Sequence, residues 1–513
     1  MLDKILLLLL SISVLSPAPF VSDESRTTRY TVDLTQKVDT ILVRVEVAGN
    51  LARDEGAFQF PATAPGTYQT MNIGRYVANF KAFDKKGKTL KVSYDEPNRY
   101  IISKPHKLDH LQYEVAETFD TRLKKWPIYL MCGTSLEADH AFINPHAIAG
   151  FFSSLQGEPV AIQFEHHASW KTGTALSMSN GWYQADDYDH LVDSPFLMGH
   201  LTFEDTTIAS TDIRIYAYSS EQRVKADLLM QDMSDMLDAS RKFLIDLPVE
   251  RYTFLFFFEP SLAGTTGAWE HSYSSAYVLN EGNPTPRFLQ RVTDIASHEF
   301  FHIVTPLNIH SEVIEQFNFE TPTPSKHLWL YEGVTEWASN ILLFRAEQVD
   351  LDTYLRKAVA QKIQVNELYF DKSWSLGKIS EESYSEAGAR QFGNIYHRGS
   401  IVAGLLDILL LDLSDGRRGL RELILDLAEE YGPGKPVPED AFDQIITQRT
   451  FPEVQGFFDD YIWGSKPLPY QTYFDKIGIA YSTHGKRVSL RKRRKLSERQ
   501  QMLFDAWSRN LER

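Results

Sequence analysis

Residues 288–305 run without glycine or proline, and inside that run stands Ser297-His298-Glu299-Phe300-Phe301-His302. The run stops at Pro306, which cannot continue a helix. A helix here puts His298 and His302 on one face, where two imidazoles can grip one ion. Glu299, beside His298, is set to polarise a metal-bound water rather than to ligate. Zinc suits neutral imidazole plus carboxylate, and a catalytic zinc keeps one position open for water. The alternative is two surface histidines on an amphipathic helix.

A zinc site of this kind needs a third protein ligand, usually a carboxylate from a second helix. Pro324 and Ser325, a potential N-cap, introduce Leu328-Trp329-Leu330-Tyr331-Glu332-Gly333-Val334-Thr335-Glu336-Trp337, and the helix is expected to run to about residue 347. Glu332 and Glu336 share a face of it. Acids among so many apolar residues are costly to bury unless a cation receives them. Glu332 is therefore the expected ligand, and Glu336 the residue that orients a ligating histidine from behind. An exposed acid on the helix rim is the alternative for Glu336.

H-E-F-F-H followed downstream by Y-E-G-V-T-E-W resembles the glycyl aminopeptidase family of gluzincin zinc metallopeptidases. Other stretches carry the same resemblance. Phe60-Pro61-Ala62-Thr63-Ala64-Pro65-Gly66-Thr67-Tyr68, with Arg75-Tyr76-Val77 after it, is similar to the family's Pro/Gly-rich N-terminal signature, with Thr63 near the place of the usual tryptophan. Ala141-Phe142-Ile143-Asn144-Pro145-His146 also matches a family stretch. His140 and His146 lie beside turns and read as structural residues rather than ligands.

Gly264-Thr265-Thr266-Gly267-Ala268-Trp269-Glu270-His271 resembles the family's edge-strand motif. The resemblance implies that backbone at Gly267 and Ala268 holds an extended peptide and that Glu270 binds its free α-amine. An edge strand offers main-chain hydrogen bonds, and glycine permits close approach. Ala268 and Trp269 depart from the family's glycine and leucine, which bears on the shape of the first specificity pocket. Phe392-Gly393-Asn394-Ile395-Tyr396-His397-Arg398-Gly399 resembles a Tyr-x-Lys-Gly pattern with arginine for lysine. It implies that Tyr396 donates to the oxyanion, a role a phenol on a rigid helix can fill. A core tyrosine is the alternative.

The remaining features set the context. The chain has 513 residues, 43% of them hydrophobic and 24% charged, which leaves room for two or three domains. A net charge of −15 argues against general nucleic-acid binding. The single cysteine, Cys132, excludes an intrachain disulfide and a cysteine-rich zinc site. There are no internal repeats, phosphate-cradling glycine loop or Gly-x-Ser-x-Gly elbow.

Lys4, an apolar run over 5–15 and Ser16-Pro17-Ala18-Pro19 read as a signal peptide over about 1–22, so an exported protein, periplasmic or secreted, is expected. An uncleaved anchor is the alternative. No later segment reaches transmembrane length, so no stable membrane insertion is expected.

The fold expected is α+β and multidomain. A strand-rich, antiparallel β domain spans about 23–207, a thermolysin-like catalytic domain 208–365, and a helical part of the catalytic region 366–483. The last stretch, 484–513, is expected to be a solvated tail around Arg491-Lys492-Arg493-Arg494-Lys495 with an amphipathic helix from about Ser497. Many members of the family continue into a PDZ domain; none is expected within this sequence.

The combined reading is an aminopeptidase with one zinc per chain on His298, His302 and Glu332, and Glu299 as proton acceptor. Zinc and Tyr396 would stabilise the oxyanion while Glu270 measures peptides from a free N-terminus, with small residues such as glycine or alanine implied by the resemblance. An endopeptidase on the same scaffold and a non-catalytic peptide-binding protein are the rivals.

Overall fold

The computed structural model describes residues 27–121, 123 and 127–509; the expected signal peptide lies outside the described residues. The first half is built on an eight-stranded sheet centred on Thr28–Lys37, Thr40–Val47 and Leu108–Ala116, with two four-stranded sheets beside it. In the large sheet all pairs are antiparallel except one. Thr28–Lys37 lies parallel to Val160–Glu165. Phe58, Phe60 and Tyr113 pack edge-on in its core, a geometry that suits aromatic quadrupoles.

The second half opens on a mixed sheet that begins slightly before the expected boundary. Its strands are β1 (Thr202–Ile208), β2 (Thr211–Ser219), β3 (Arg251–Glu259), β4 (Gly267–His271) and β5 (Ser274–Asn280), in the spatial order β1-β2-β3-β5-β4. β2, β3 and β5 run parallel, and β4 closes the edge antiparallel to β5. The continuous apolar run of β3 follows from burial on both faces. Phe254, Phe256 and Phe258 face the helices, while Leu255 and Phe257 join Leu130, Phe142 and Leu197 of the first half. Trp269 of β4 belongs to the core of the β domain. The two halves are therefore packed through shared apolar side chains.

Five helices matter for the site: α1 (Ala226–Leu244), α2 (Pro286–Phe301), α3 (Thr335–Arg345), α4 (Gln361–Tyr369) and α5 (Gly393–Leu413). α2 starts earlier than the sequence suggests because Pro286 sits in the first turn and Thr285 caps Phe288 N. It also ends earlier, with His302 as its C-cap residue. The segment carrying Glu332 is not a plain α-helix. Trp329–Val334 forms a π-helical turn that leads into α3, and such turns are frequent at functional sites. Ser325 is not its cap; its hydroxyl donates to Glu439 instead.

The expected basic tail is not free. Ile479–His484 and Arg487–Lys492 form an antiparallel hairpin, with Lys492 over the Phe504 ring and Arg493 paired with Asp475. The final helix, Glu498–Trp507, is capped by Ser497 and rests Trp507 on Phe344. Among the described residues no helix is long and apolar enough to cross a membrane.

One buried ion pair links these layers. Arg345 donates to Asp407 Oδ2 at 2.9 Å and to the Trp507 carbonyl at 2.9 Å, and Asp407 Oδ1 accepts from Leu420 N at 2.7 Å. Removing one partner of such a pair strands a buried charge. Arg345→Met should lower unfolding free energy by about 3–5 kcal/mol in a urea titration, and Arg345→Met/Asp407→Leu should recover much of that loss.

Candidate metal centre and substrate cleft

A cavity of about 370 Å³ lies between β4, α2, the π turn, the start of α5 and the 66–68 loop of the β domain. His298, Glu299 and His302 line it from α2 and its cap, Glu332 and Glu336 from the second segment. Ligand atoms of His298, His302 and Glu332 all lie within 4.8 Å of one another. Glu332 Oε2 is 3.3 Å from His298 Nε2 and 3.6 Å from His302 Nε2.

The other ring nitrogens fix how the imidazoles point. His302 Nδ1 is 2.8 Å from the Thr305 carbonyl, which only accepts, so Nδ1 carries the hydrogen and Nε2 presents a lone pair. His298 Nδ1 is 2.7 Å from Glu336 Oε2, the carboxylate–histidine pairing found behind metal ligands. Lys362 of α4 pairs with the other oxygen of Glu336. With His298 neutral, two lone pairs and one carboxylate oxygen converge, and the donor set fits zinc.

The electrostatics agree. Burial works against charge on His298, but hydrogen bonds to Glu332 and Glu336 outweigh it and hold its pKa well above the usual range. Surroundings that favour a proton there favour a cation. Burial lowers His302 to about 4. For Glu336, burial is overcome by Lys362 and His298, and the carboxyl stays far below its ordinary range.

Glu299 sits between the two halves of the site. Glu270, Glu299 and His302 also bring one polar atom each within 4.8 Å of one another. Burial pushes the Glu299 carboxyl up to about 7, against the opposing pull of His298. Glu270 is raised well above its usual value by burial, then by Glu332 and Glu299.

Tyr396 lies on α5 with its ring centroid 5.6 Å from that of His298. A specific backbone contact puts it there. A Cβ on Gly333 would meet Gly399 Cα at 2.7 Å, and one on Gly399 would meet Gly333 Cα at 2.8 Å. Two glycines, one beside Glu332 and one just beyond Tyr396, let the two helical segments touch backbone to backbone.

The residues expected on the groove are distributed as follows. Ala268, Trp269 and Glu270 line the cavity; Gly267 stands at the start of β4 beside Met131, outside the lining. Trp269 is buried, with its Nε1 donating to the Pro65 carbonyl at 3.1 Å. His140 and His146 lie away from the cluster. His140 is held by Asp139 and Ser135, and His146 packs on Trp269. Sequence reasoning did not single out Tyr68, Met131, Cys132 or Lys362 for the site. Tyr68 lay inside a quoted motif, whereas nothing around Lys362 marks it in sequence.

Profile comparison adds the family. The Peptidase M61 N-terminal domain matches residues 29–200, and M61 glycyl aminopeptidase matches residues 291–402. The chain belongs to the M61 glycyl aminopeptidase family. Its enzyme class is that of a metallo-aminopeptidase, as the motifs implied. Among solved structures, an aminopeptidase N family protein from Idiomarina loihiensis superposes with a TM-score of 0.77 at 19% identity, covering 89% of this chain and 79% of that one. An M1 zinc metallopeptidase from Deinococcus radiodurans gives 0.51 at 13% identity, covering 86% and 94%. A variant of that enzyme bound to a Tyr-Ser-Ala substrate gives 0.52 at 12%, covering 87% and 95%. These likenesses establish the fold. No curated protein sequence matches.

The glycine contact generates a test. Gly399→Ala should push the two backbones apart, cost about 1–3 kcal/mol of stability and lower kcat at least tenfold. Gly404→Ala, whose added carbon would meet Trp337 at an ordinary 3.5 Å, should leave kcat unchanged and raise stability by up to about 1 kcal/mol, as alanine does in a helix interior. Equal kcat for the two variants would refute this role of the crossing.

Proposed function

We propose that the protein is a zinc-dependent aminopeptidase that removes small N-terminal residues, glycine or alanine, from peptides. One ion per chain would be held by His298, His302 and Glu332. The observation that carries the reading is the convergence of both histidine Nε2 atoms and Glu332 Oε2 in a cavity that also holds Glu299 and Glu270. Bound there, zinc supplies Lewis acidity and a water made acidic enough to lose its proton near neutral pH.

The chain's own residues do the rest. Glu299, raised to about 7 by burial, takes a proton and returns it to the departing amine, which calls for a group poised near the working pH. Tyr396 keeps its phenol protonated, since burial and Glu332 push its pKa well up. It can therefore donate a hydrogen bond where negative charge develops on the scissile carbonyl. The free edge of β4 aligns the peptide, and Glu270 meets its ammonium. A cation beside Glu270 offsets the burial of that carboxylate. One feature supports a short first side chain: Gly66 backs directly onto Glu270 and Trp269, where a Cβ would meet Glu270 Oε1 at 2.6 Å.

We also infer export from the N-terminal signal pattern; fractionation of the native host should place the protein outside the cytoplasm, and cytoplasmic recovery refutes this. For the chemistry, Glu299→Gln should retain zinc by mass spectrometry and lose about 10²–10⁴-fold in kcat. The wild type should release glycine or alanine from free dipeptides and leave N-acetylated ones intact. Cleavage of blocked peptides would favour an endopeptidase. Absence of both zinc and turnover would leave a peptide-binding protein.

A further inference from the structure

The Pro/Gly-rich signature of the β domain ends on Tyr68, which no step above uses. Its hydroxyl donates to Glu332 Oε1 at 3.1 Å. The opposite oxygen, Oε2, is the one that faces both histidines. A tyrosine from the first half of the chain thus occupies the non-ligating side of the expected third ligand.

The loop that delivers it is tightly held. Met71 N and Asn72 N both donate to the Ala62 carbonyl, at 2.7 and 3.1 Å, and Ile73 N donates to Pro61 at 3.0 Å. Thr67 Oγ1 closes on the Ala64 carbonyl at 2.7 Å. From the other half, Ala62 N reaches the Phe319 carbonyl at 2.7 Å, and Trp269 Nε1 holds Pro65. Tyr68 itself has φ 48°, a left-handed conformation that is strained for a bulky side chain. Strain of this kind persists where the surroundings over-determine it, and it marks functional positions. The ring is then fixed against Phe392, centroids 4.9 Å apart, at the N-terminal end of the helix that carries Tyr396.

A buried carboxylate can turn about its last bond and offer one oxygen or both. A rigid donor on Oε1 removes that freedom and satisfies an oxygen that would otherwise be stranded. We propose that Tyr68 is a positioning residue for the metal site: by holding Glu332 Oε1 it presents Oε2 as the ligating oxygen, so the β domain completes the metal centre of the other half. This rests on the zinc reading above.

Tyr68→Phe keeps the ring on Phe392 and removes only the hydroxyl. Zinc affinity, measured by chelator competition on folded protein, should weaken about 10–100-fold, the usual cost of losing a partner behind a ligand. In the metal-stripped protein the lost hydrogen bond should lower unfolding free energy by only about 1–3 kcal/mol, so the variant stays folded for the affinity measurement. At saturating zinc, kcat and KM should return close to wild type. Unchanged zinc affinity would overturn the proposal, and so would a kcat that stays depressed at saturating zinc, since the phenol would then act on substrate. In a Glu332→Asp background, with the carboxylate drawn back from the phenol, Tyr68→Phe should cost no further affinity; a full additional loss there also overturns it. A wild type that takes up no zinc fails the functional reading, whereas equal zinc affinity of wild type and Tyr68→Phe fails this inference alone.

Discussion

Burying carboxylates is expensive, and this cleft gathers four of them around two imidazoles. Glu270, Glu299 and Glu332 are buried and Glu336 half-buried. Among the described residues only Glu336 of the four has a lysine partner, Lys362, and that pair lies behind His298 rather than within the donor set. Without an entering cation such a cluster holds protons instead, as the raised Glu270 and Glu299 carboxyls show. Under the proposed function, the entering cations would be a metal at the histidines and the ammonium of a peptide at Glu270. The architecture around the cleft can be understood as what is needed to hold these acids in place against their mutual repulsion.

Three devices do so. The histidines are oriented from behind, by Glu336 and by the Thr305 carbonyl. Glu332 rides on a π-helical turn rather than a regular helix, which re-aims it relative to the helix that follows. The glycine pair Gly333 and Gly399 then lets α5 approach closely enough for Tyr396 to share the cavity. The His298–Glu336 pair and the Gly333–Gly399 crossing join residues far apart in sequence, whereas the Thr305 carbonyl and the π turn act locally.

The β domain is part of the same arrangement. Trp269, next to Glu270 in β4, is buried in the core of the first half, and the 61–76 loop turns back to cover the cleft. Gly66 of that loop packs directly against Trp269 and Glu270.

The sequence by itself determined which donor residues come together, His298, His302 and Glu332, and the helical phase that makes it possible. Four-residue spacing puts His298 and His302 on one face because a helix turns every 3.6 residues, and apolar surroundings make an acid such as Glu332 conspicuous. It also determined the double-sided burial of β3 through an unbroken apolar run. It misjudged the basic stretch after residue 484, because local charge does not reveal that Lys492 finds Phe504 and Arg493 finds Asp475. Lys362 and Tyr68 became part of the site only in three dimensions: one lies in an unremarkable helix and the other is more than 260 positions from the carboxylate it touches. Periodicity is a local property that a sequence carries openly. The closing of a strained loop over a distant helix depends on packing between the halves, and only the tertiary structure decided that.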